Sequence, residues 1–328
     1  MAQAASEGEG QLMAGEGEMV ALGKSGIQVS ALGTGTWQWG DQALWGYGRG
    51  YGREEVEAAY AASRAAGITF FDTAEIYGRG TSERILGRLV RDDADPTPVV
   101  VASKFAPLPQ RLSARSVTMA LDASLARLGL PHIDLYYVHW HVGLIALDTL
   151  MNALADAVEA GKVRAIGVSN YGERKLRRTH ALLARRGLPL AANQVHYSLL
   201  HRAPERNGVL AACRELDVRL VAYSPLEQGV LTGKYHRGEG HASAARRLYA
   251  GRPLRHLEAS RPLIALLERI GAAHDKTPGQ VALRWLIQQG AVPIPGAKNA
   301  AQATANAGAL GWALSDRELM ALTEMQIG

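Results

Sequence analysis

The stretch PVVVASKFAPLPQRLSARSVTMALDASLARLGLPHIDLYYVH, residues 98–139, decides how this chain is put together. It opens on a short apolar run, Pro98–Ser103, that ends at Lys104. Ser113–Leu128 follows, with apolar residues at the three-to-four spacing of one helix face. A second apolar run, Ile133–Val138, ends at His139. Strand, helix, strand is the unit of a parallel sheet, because parallel neighbours need a long crossover.

The same unit repeats in both directions. Upstream, Met19–Leu22 and Ile27–Ser30 flank Gly23-Lys24-Ser25-Gly26, which reads as a hairpin. Ala31–Thr36 reads as a strand, Glu54–Ala66 as a helix and Ile68–Phe71 as a strand ending at Asp72. Ser82–Val90 is helical, with Ser82 as its N-cap. Downstream, Asp148–Ala160, Glu173–Arg185 and Glu205–Leu216 are helical by spacing. They alternate with strands Val163–Val168, ending at Ser169, Ala191–Val195, with Gln194 near its end, and Arg219–Ala222, ending at Tyr223. Helices Pro262–His274 and Pro278–Gln288, strand Val292–Ile294, helix Asn299–Leu310 and a last helix complete the chain. Thr277-Pro278-Gly279-Gln280 and Ser315-Asp316-Arg317-Glu318 read as capping boxes. Eight strands alternating with helices predict an α/β fold: a (β/α)8 TIM barrel with an N-terminal β-hairpin and a C-terminal extra helix. The barrel is expected over residues 19–328, after a disordered acidic tail at 1–18. Tyr223–Arg261 is the longest irregular connection, a length that is usually functional or mobile.

Composition removes several classes of protein. Cys213 is the only cysteine, so no disulfide forms within the chain. No run reaches the roughly 18 apolar residues of a membrane helix. The net charge is +5, and the first twenty residues hold Glu7, Glu9, Glu16 and Glu18 with no Lys or Arg, so the body is more basic still. That charge is scattered, without a basic stripe or a nucleic-acid motif. The start lacks the basic and apolar regions of a signal peptide, which points to the cytoplasm. The expected partner is a small molecule, with no nucleic acid and no membrane, for a monomer or small homo-oligomer. No segment matches G-x-G-x-x-G; the alternating glycines of Gly46–Gly52 have the wrong spacing and no strand before them.

In a barrel of this kind the chemistry lies at the carboxyl ends of the strands. Those ends carry Asp72 and, five residues on, Tyr77; then Lys104, His139, Ser169 with Asn170, Gln194, and Tyr223 with Ser224. Singly, each has an ordinary structural explanation. Together, the first four form acid–base machinery. A phenol has a reference pKa of about 10, and an adjacent ammonium favours its phenolate. A buried lysine needs a carboxylate, which Asp72 supplies. A histidine beside the phenol orients a carbonyl oxygen or relays a proton. Such machinery suits reducing a carbonyl or oxidising an alcohol, for which a cofactor must carry the hydride. A competing reading makes His139-Trp140-His141 a zinc-binding pair with His196, in a barrel hydrolase.

The residues resemble the aldo-keto reductase superfamily. Phe70-Phe71-Asp72-Thr73-Ala74-Glu75-Ile76-Tyr77-Gly78 is similar to its first signature. Ser103-Lys104, Asp134-Leu135-Tyr136-Tyr137-Val138-His139-Trp140, Gly167-Val168-Ser169-Asn170 and Ala222-Tyr223-Ser224-Pro225-Leu226 follow in the family's order. Ile294-Pro295-Gly296-Ala297-Lys298, with Gln302 and Asn306, is similar to its cofactor-phosphate segment. The resemblance runs from about Val20 to the C-terminus. It implies a barrel binding NADP(H) without a Rossmann motif, with metal absent from the chemistry. It implies Tyr77 as the general acid, assisted by Lys104 and Asp72, with His139 orienting the carbonyl. Ser169, Asn170 and Gln194 would hold the nicotinamide carboxamide, and Tyr223 would stack on the ring. Ser224, Leu226, Gln228 and Gly229 would follow the pyrophosphate. Lys298 would meet the 2′-phosphate, with Gln302 and Asn306 near the adenosine. Ala305 departs from the family, many of whose members carry a carboxylate there to hold the adenine amino group. Within the superfamily the family also contains non-catalytic, cofactor-sensing channel subunits, an alternative role. Gly35-Thr36-Trp37-Gln38-Trp39-Gly40 and Trp45-Gly46-Tyr47-Gly48 are similar to a plant, algal and cyanobacterial branch that includes pyridoxal reductases. Trp37, Trp39, Trp45, Tyr47 and Trp140 are the expected aromatic walls of the carbonyl pocket.

Overall fold

The computed structural model describes residues 18–140, 142, 144–239 and 257–325. The expected tail therefore lies outside the described residues up to position 17. Glu18, read as its last residue, is docked: its carboxylate pairs with Arg284 at 2.6 Å and its carbonyl accepts from the Ala31 amide.

A two-stranded antiparallel hairpin comes first, β1 Met19–Ala21 and β2 Gln28–Ser30. Eight parallel strands follow in chain order: β3 Thr34–Gly35, β4 Phe70–Asp72, β5 Val100–Phe105, β6 Ile133–Val138, β7 Val163–Ser169, β8 Leu190–His196, β9 Arg219–Tyr223 and β10 Val292–Pro293. Each pairs with the next in sequence. A parallel bridge between Gly35 and Gly296 closes the ring, and the amides of Gly33 and Gly35 donate to Pro293 and Pro295 at 2.9 and 3.0 Å. The fold is a closed α/β barrel. Its last described helix, Asp316–Glu324, opens on the expected Ser315 capping box, as Pro278–Gln288 does on Thr277.

Two apolar layers hold it together. The inner one comes from alternate strand residues such as Phe70, Val100, Ala102, Leu135, Tyr137, Ala165 and Val221. Leu22, Ile27 and Val29 of the hairpin join this layer, so the hairpin seals the barrel floor. The outer layer lies between strands and helices and includes Phe71, Val101, Tyr136 and Val138. Side chains alternate across a strand, so Phe70 and Asp72 share one face while Phe71 takes the other. Gly167 has no side chain because Tyr137 fills the space: a Cβ there would lie 2.4 Å from its ring. Cys213 is buried in a helix, and burial pushes its thiol up to about 12, so it stays protonated at neutral pH.

Two local expectations differ from the structure. Ser82 does not cap its helix, which starts at Thr81 after Gly80 turns the chain at φ 83°. Its hydroxyl points inward, donating to the Thr36 carbonyl at 2.9 Å and accepting from Thr73 at 2.9 Å. Glu205–Leu216 is two helices, Ala203–Arg206 and Val209–Glu215, because Gly208 takes a left-handed conformation between them.

Candidate active site

The parity that builds the inner layer also builds the site. Ascending each strand in steps of two brings the inward column to Asp72 on β4, Lys104 on β5, His139 just past β6, Ser169 on β7, Gln194 on β8 and Tyr223 on β9. All stand at the carboxyl end of the barrel. There a cleft of about 950 Å³ opens, lined by Asp72, Tyr77, His139, Trp140, Ser169, Asn170, Gln194 and Tyr223.

Lys104 lies beneath the cleft and is fully buried. Its ammonium donates to the Asp72 carboxylate, to the Thr73 carbonyl at 2.8 Å and to the Tyr77 hydroxyl at 3.4 Å. The other Asp72 oxygen accepts from the Gln194 amide at 2.7 Å. Burial pushes the Lys104 amine down and the Asp72 carboxyl up; each partner's charge opposes the shift. The result is a cation held under a phenol, with its own counter-ion fixed by a third strand. Tyr77 starts a 3-10 turn, Tyr77–Gly80, in which Gly78 and Arg79 take left-handed angles. This turn lets the phenol lean back over Lys104, with its ring centroid 5.0 Å from the ammonium.

The His139 ring stands edge-on to Tyr77 at 5.9 Å. Its Nδ1 is buried without a hydrogen-bond partner. Burial, reinforced by the Lys104 charge, drives its pKa to about 2. At neutral pH the imidazole is therefore uncharged. The folded state takes up this proton only near pH 2, and the unfolded chain near 6.5, so stability falls as the pH drops between them. Against His139→Asn, the wild type should lose about 1.4 kcal/mol more stability per pH unit below 6.5. Urea midpoints at pH 7, 6 and 5 measure this; parallel curves for the two proteins would contradict a neutral, buried His139.

The cleft runs on past Tyr223. Asn170, at φ 61°, donates to Ser169 at 3.0 Å and accepts from the Tyr223 hydroxyl at 3.0 Å. Ser224 and Gln228 take left-handed angles, and Leu226 and Gly229 line the cleft beside them. Lys298, Gln302 and Asn306 line its far end. Asn299 caps helix Ala300–Ala307 with its side chain on the Gln302 amide. The Lys298 ammonium donates to the Trp45 carbonyl at 3.0 Å and lies 4.3 Å from the Tyr51 ring centroid. The glycine-rich stretch around residues 46–52, which failed as a dinucleotide loop, thus borders the Lys298 end of the cleft.

Of the expected aromatic walls, Trp37, Trp45 and Trp140 line the cleft. Trp37 stacks on Tyr77 at 5.9 Å, and Trp45 stands edge-on to Trp37 at 5.4 Å. Trp39 and Tyr47 do not line it. Trp39 is fully buried, tilted against Phe71, and donates to the Ala297 carbonyl at 2.8 Å. Tyr47 lies edge-on to Tyr51, between Gly46 and Gly48, which both take positive φ. Both follow turns rather than strands, so the period-two rule does not place them. Lys234 and Gln38 line the cleft and were not singled out from the sequence. The usable signal for Lys234 was a lysine beside Gly233 in the loop after a strand, a common setting for anion contact. Gln38 offered no such signal.

The zinc alternative used His139, His141 and His196. His141 lies outside the described residues, and His196 is bonded to Glu227 at 2.6 Å. No described helix is long and apolar enough to cross a membrane.

Over residues 31–327 the chain matches the model of the aldo/keto reductase family, and it belongs to that family. It is 39% identical over 307 residues to the chloroplastic pyridoxal reductase of Arabidopsis thaliana, covering 90% of this chain and 83% of that one. A Schizosaccharomyces pombe aldo-keto reductase whose name carries NADP(+) is 36% identical over 290 residues, 84% of each chain. Among solved structures, a thermostable aldo-keto reductase with the inhibitor epalrestat superposes with a TM-score of 0.72 at 30% identity, covering 93% of this chain and 98% of that one. The protein is an oxidoreductase, and its family acts on small-molecule carbonyls.

Proposed function

We infer that the enzyme reduces an aldehyde or ketone to an alcohol with NADPH, Tyr77 acting as the general acid. The observation that carries this reading is the Lys104 ammonium, shared between the Asp72 carboxylate and the Tyr77 hydroxyl at the cleft floor. When the phenol gives up its proton, the negative charge left on its oxygen faces a cation 3.4 Å away in a site of low dielectric. The neutral His139 has no proton to spare at pH 7, so it serves as a hydrogen-bonding partner of the carbonyl oxygen.

The donor set fits a dinucleotide. NADPH supplies the hydride when bound. Ser169, Asn170 and Gln194 offer hydroxyl and amide groups for a carboxamide, and the Tyr223 ring offers a stacking face. Gly229, at φ 96°, has no side chain where a Cβ would meet the Lys234 stem at 2.6 Å, so this lysine reaches the segment for the pyrophosphate. Lys298 and the capped helix after it form a site for a second anion. Trp37, Trp45 and Trp140 suit flat aromatic carbonyls, and pyridoxal heads the aldehydes to be assayed.

The deciding experiment is a titration of the protein with NADPH and NADH, followed by tryptophan quenching. NADPH should bind far more tightly than NADH. Lys298→Ala should weaken NADPH by about ten- to a hundredfold, the worth of one charge-assisted contact, and NADH by less than about twofold. Equal weakening of both would remove Lys298 from the 2′-phosphate, and no binding of either would overturn the reading.

A further inference from the structure

Strands β8 and β9 end in two rings that lie face to face. The His196 imidazole stacks on Tyr223 at 5.3 Å, with 15° between planes. It also stacks on His201 at 4.0 Å, with 6° between planes. The three planes are nearly parallel. His201 is held by a tight turn in which its amide and that of Ser198 donate to each other's carbonyls. One oxygen organises the assembly. Glu227 Oε1 accepts from the Ser198 hydroxyl at 2.5 Å and bonds His196 Nε2 at 2.6 Å.

Glu227 is itself almost fully buried and sits at a left-handed φ of 47°. It opens the turn Glu227–Thr232, whose Gln228 and Gly229 line the cleft. The acid–base reading uses none of these four groups. Stacking between rings depends on their offset and tilt. A platform ring therefore needs its plane fixed from behind as well as at its hydroxyl, which Asn170 holds.

We propose that Glu227 is a positioning residue for the cofactor: through His196 it fixes the plane of Tyr223, and so the affinity for the nicotinamide ring. This rests on the reading of Tyr223 as the nicotinamide platform. Removing the carboxylate leaves His196 Nε2 and the Ser198 hydroxyl without their shared acceptor. The stack then loosens, and the loss falls on the nicotinamide half of the cofactor.

The test compares NADPH with 2′-phospho-ADP-ribose, which lacks the nicotinamide, by calorimetric titration. In the wild type, NADPH should bind more tightly than the fragment. Glu227→Ala should weaken NADPH about tenfold and the fragment less than about twofold. Glu227→Gln keeps an amide oxygen in the same place and should restore most of the NADPH affinity. His196→Ala leaves the carboxylate and removes the spacer ring, and should reproduce the selective loss. Equal weakening of both ligands, or no weakening, would overturn the proposal while leaving the platform in place. A wild type that binds the fragment as tightly as NADPH would instead remove Tyr223 as the platform, and the proposal with it.

Discussion

Tyr77→Phe should lose carbonyl reduction by about a hundred- to ten-thousandfold while binding NADPH within about twofold of the wild type. The substitution removes one oxygen. The ring remains, so its stacking on Trp37 and its edge contact with His139 persist. What disappears is the hydroxyl that accepts from the Lys104 ammonium, and the neutral His139, with a pKa near 2, carries no acidic proton to offer instead. The loss should therefore fall on kcat, because the missing interaction matters in the transition state and not in cofactor binding. Steady-state kinetics with an aromatic aldehyde, set beside the fluorescence titration, separate the two quantities. Full retained activity would remove Tyr77 as the acid.

Lys104→Met should be inactive by a similar factor, and unstable for a separate reason. The methionine fills much of the lysine's volume but leaves the Asp72 carboxylate buried with, among the described residues, the Gln194 amide as its remaining side-chain partner. Stranding one member of a buried ion pair costs about 3–5 kcal/mol. Adding Asp72→Asn removes the stranded charge, so the double variant should recover most of the stability and none of the activity. Urea unfolding and turnover then move independently. If the single variant is as stable as the wild type, the pair contributes no coupled charge. If the double variant regains turnover, the ammonium is not what assists the phenol.

Much of this site was legible in the sequence, for a physical reason. Asp72, Lys104, His139, Ser169, Gln194 and Tyr223 each stand at or just past the end of a strand, and a strand sends alternate side chains to one face. Once the strands were known to be parallel and eight in number, their inward parity and the barrel's carboxyl-end rule placed these residues in one layer. The aromatic walls were less legible. Trp37 and Trp39 are two residues apart, yet one lines the cleft and the other is buried against Phe71, because a turn has no period. The same limit applies to the Ser82 hydroxyl, whose inward direction follows from the left-handed Gly80 before its helix.

The sequence by itself determined the order of strands and helices, the hairpin ahead of them, and the residues that crown the inner column. These are properties of hydrophobic period and turn chemistry, which act over a few neighbouring residues. Only the tertiary structure decided who meets whom. It set Lys104 between Asp72 and Tyr77, 32 and 27 residues away. It brought Lys298 against Trp45 and Tyr51, and it brought the Glu227 carboxylate to His196, whose ring stacks on His201. The Lys298 contacts form only when the first strand closes on the last, a property of all eight strands together, while the other two need β4 to pair with β5 and β8 with β9, which no single stretch of the chain carries.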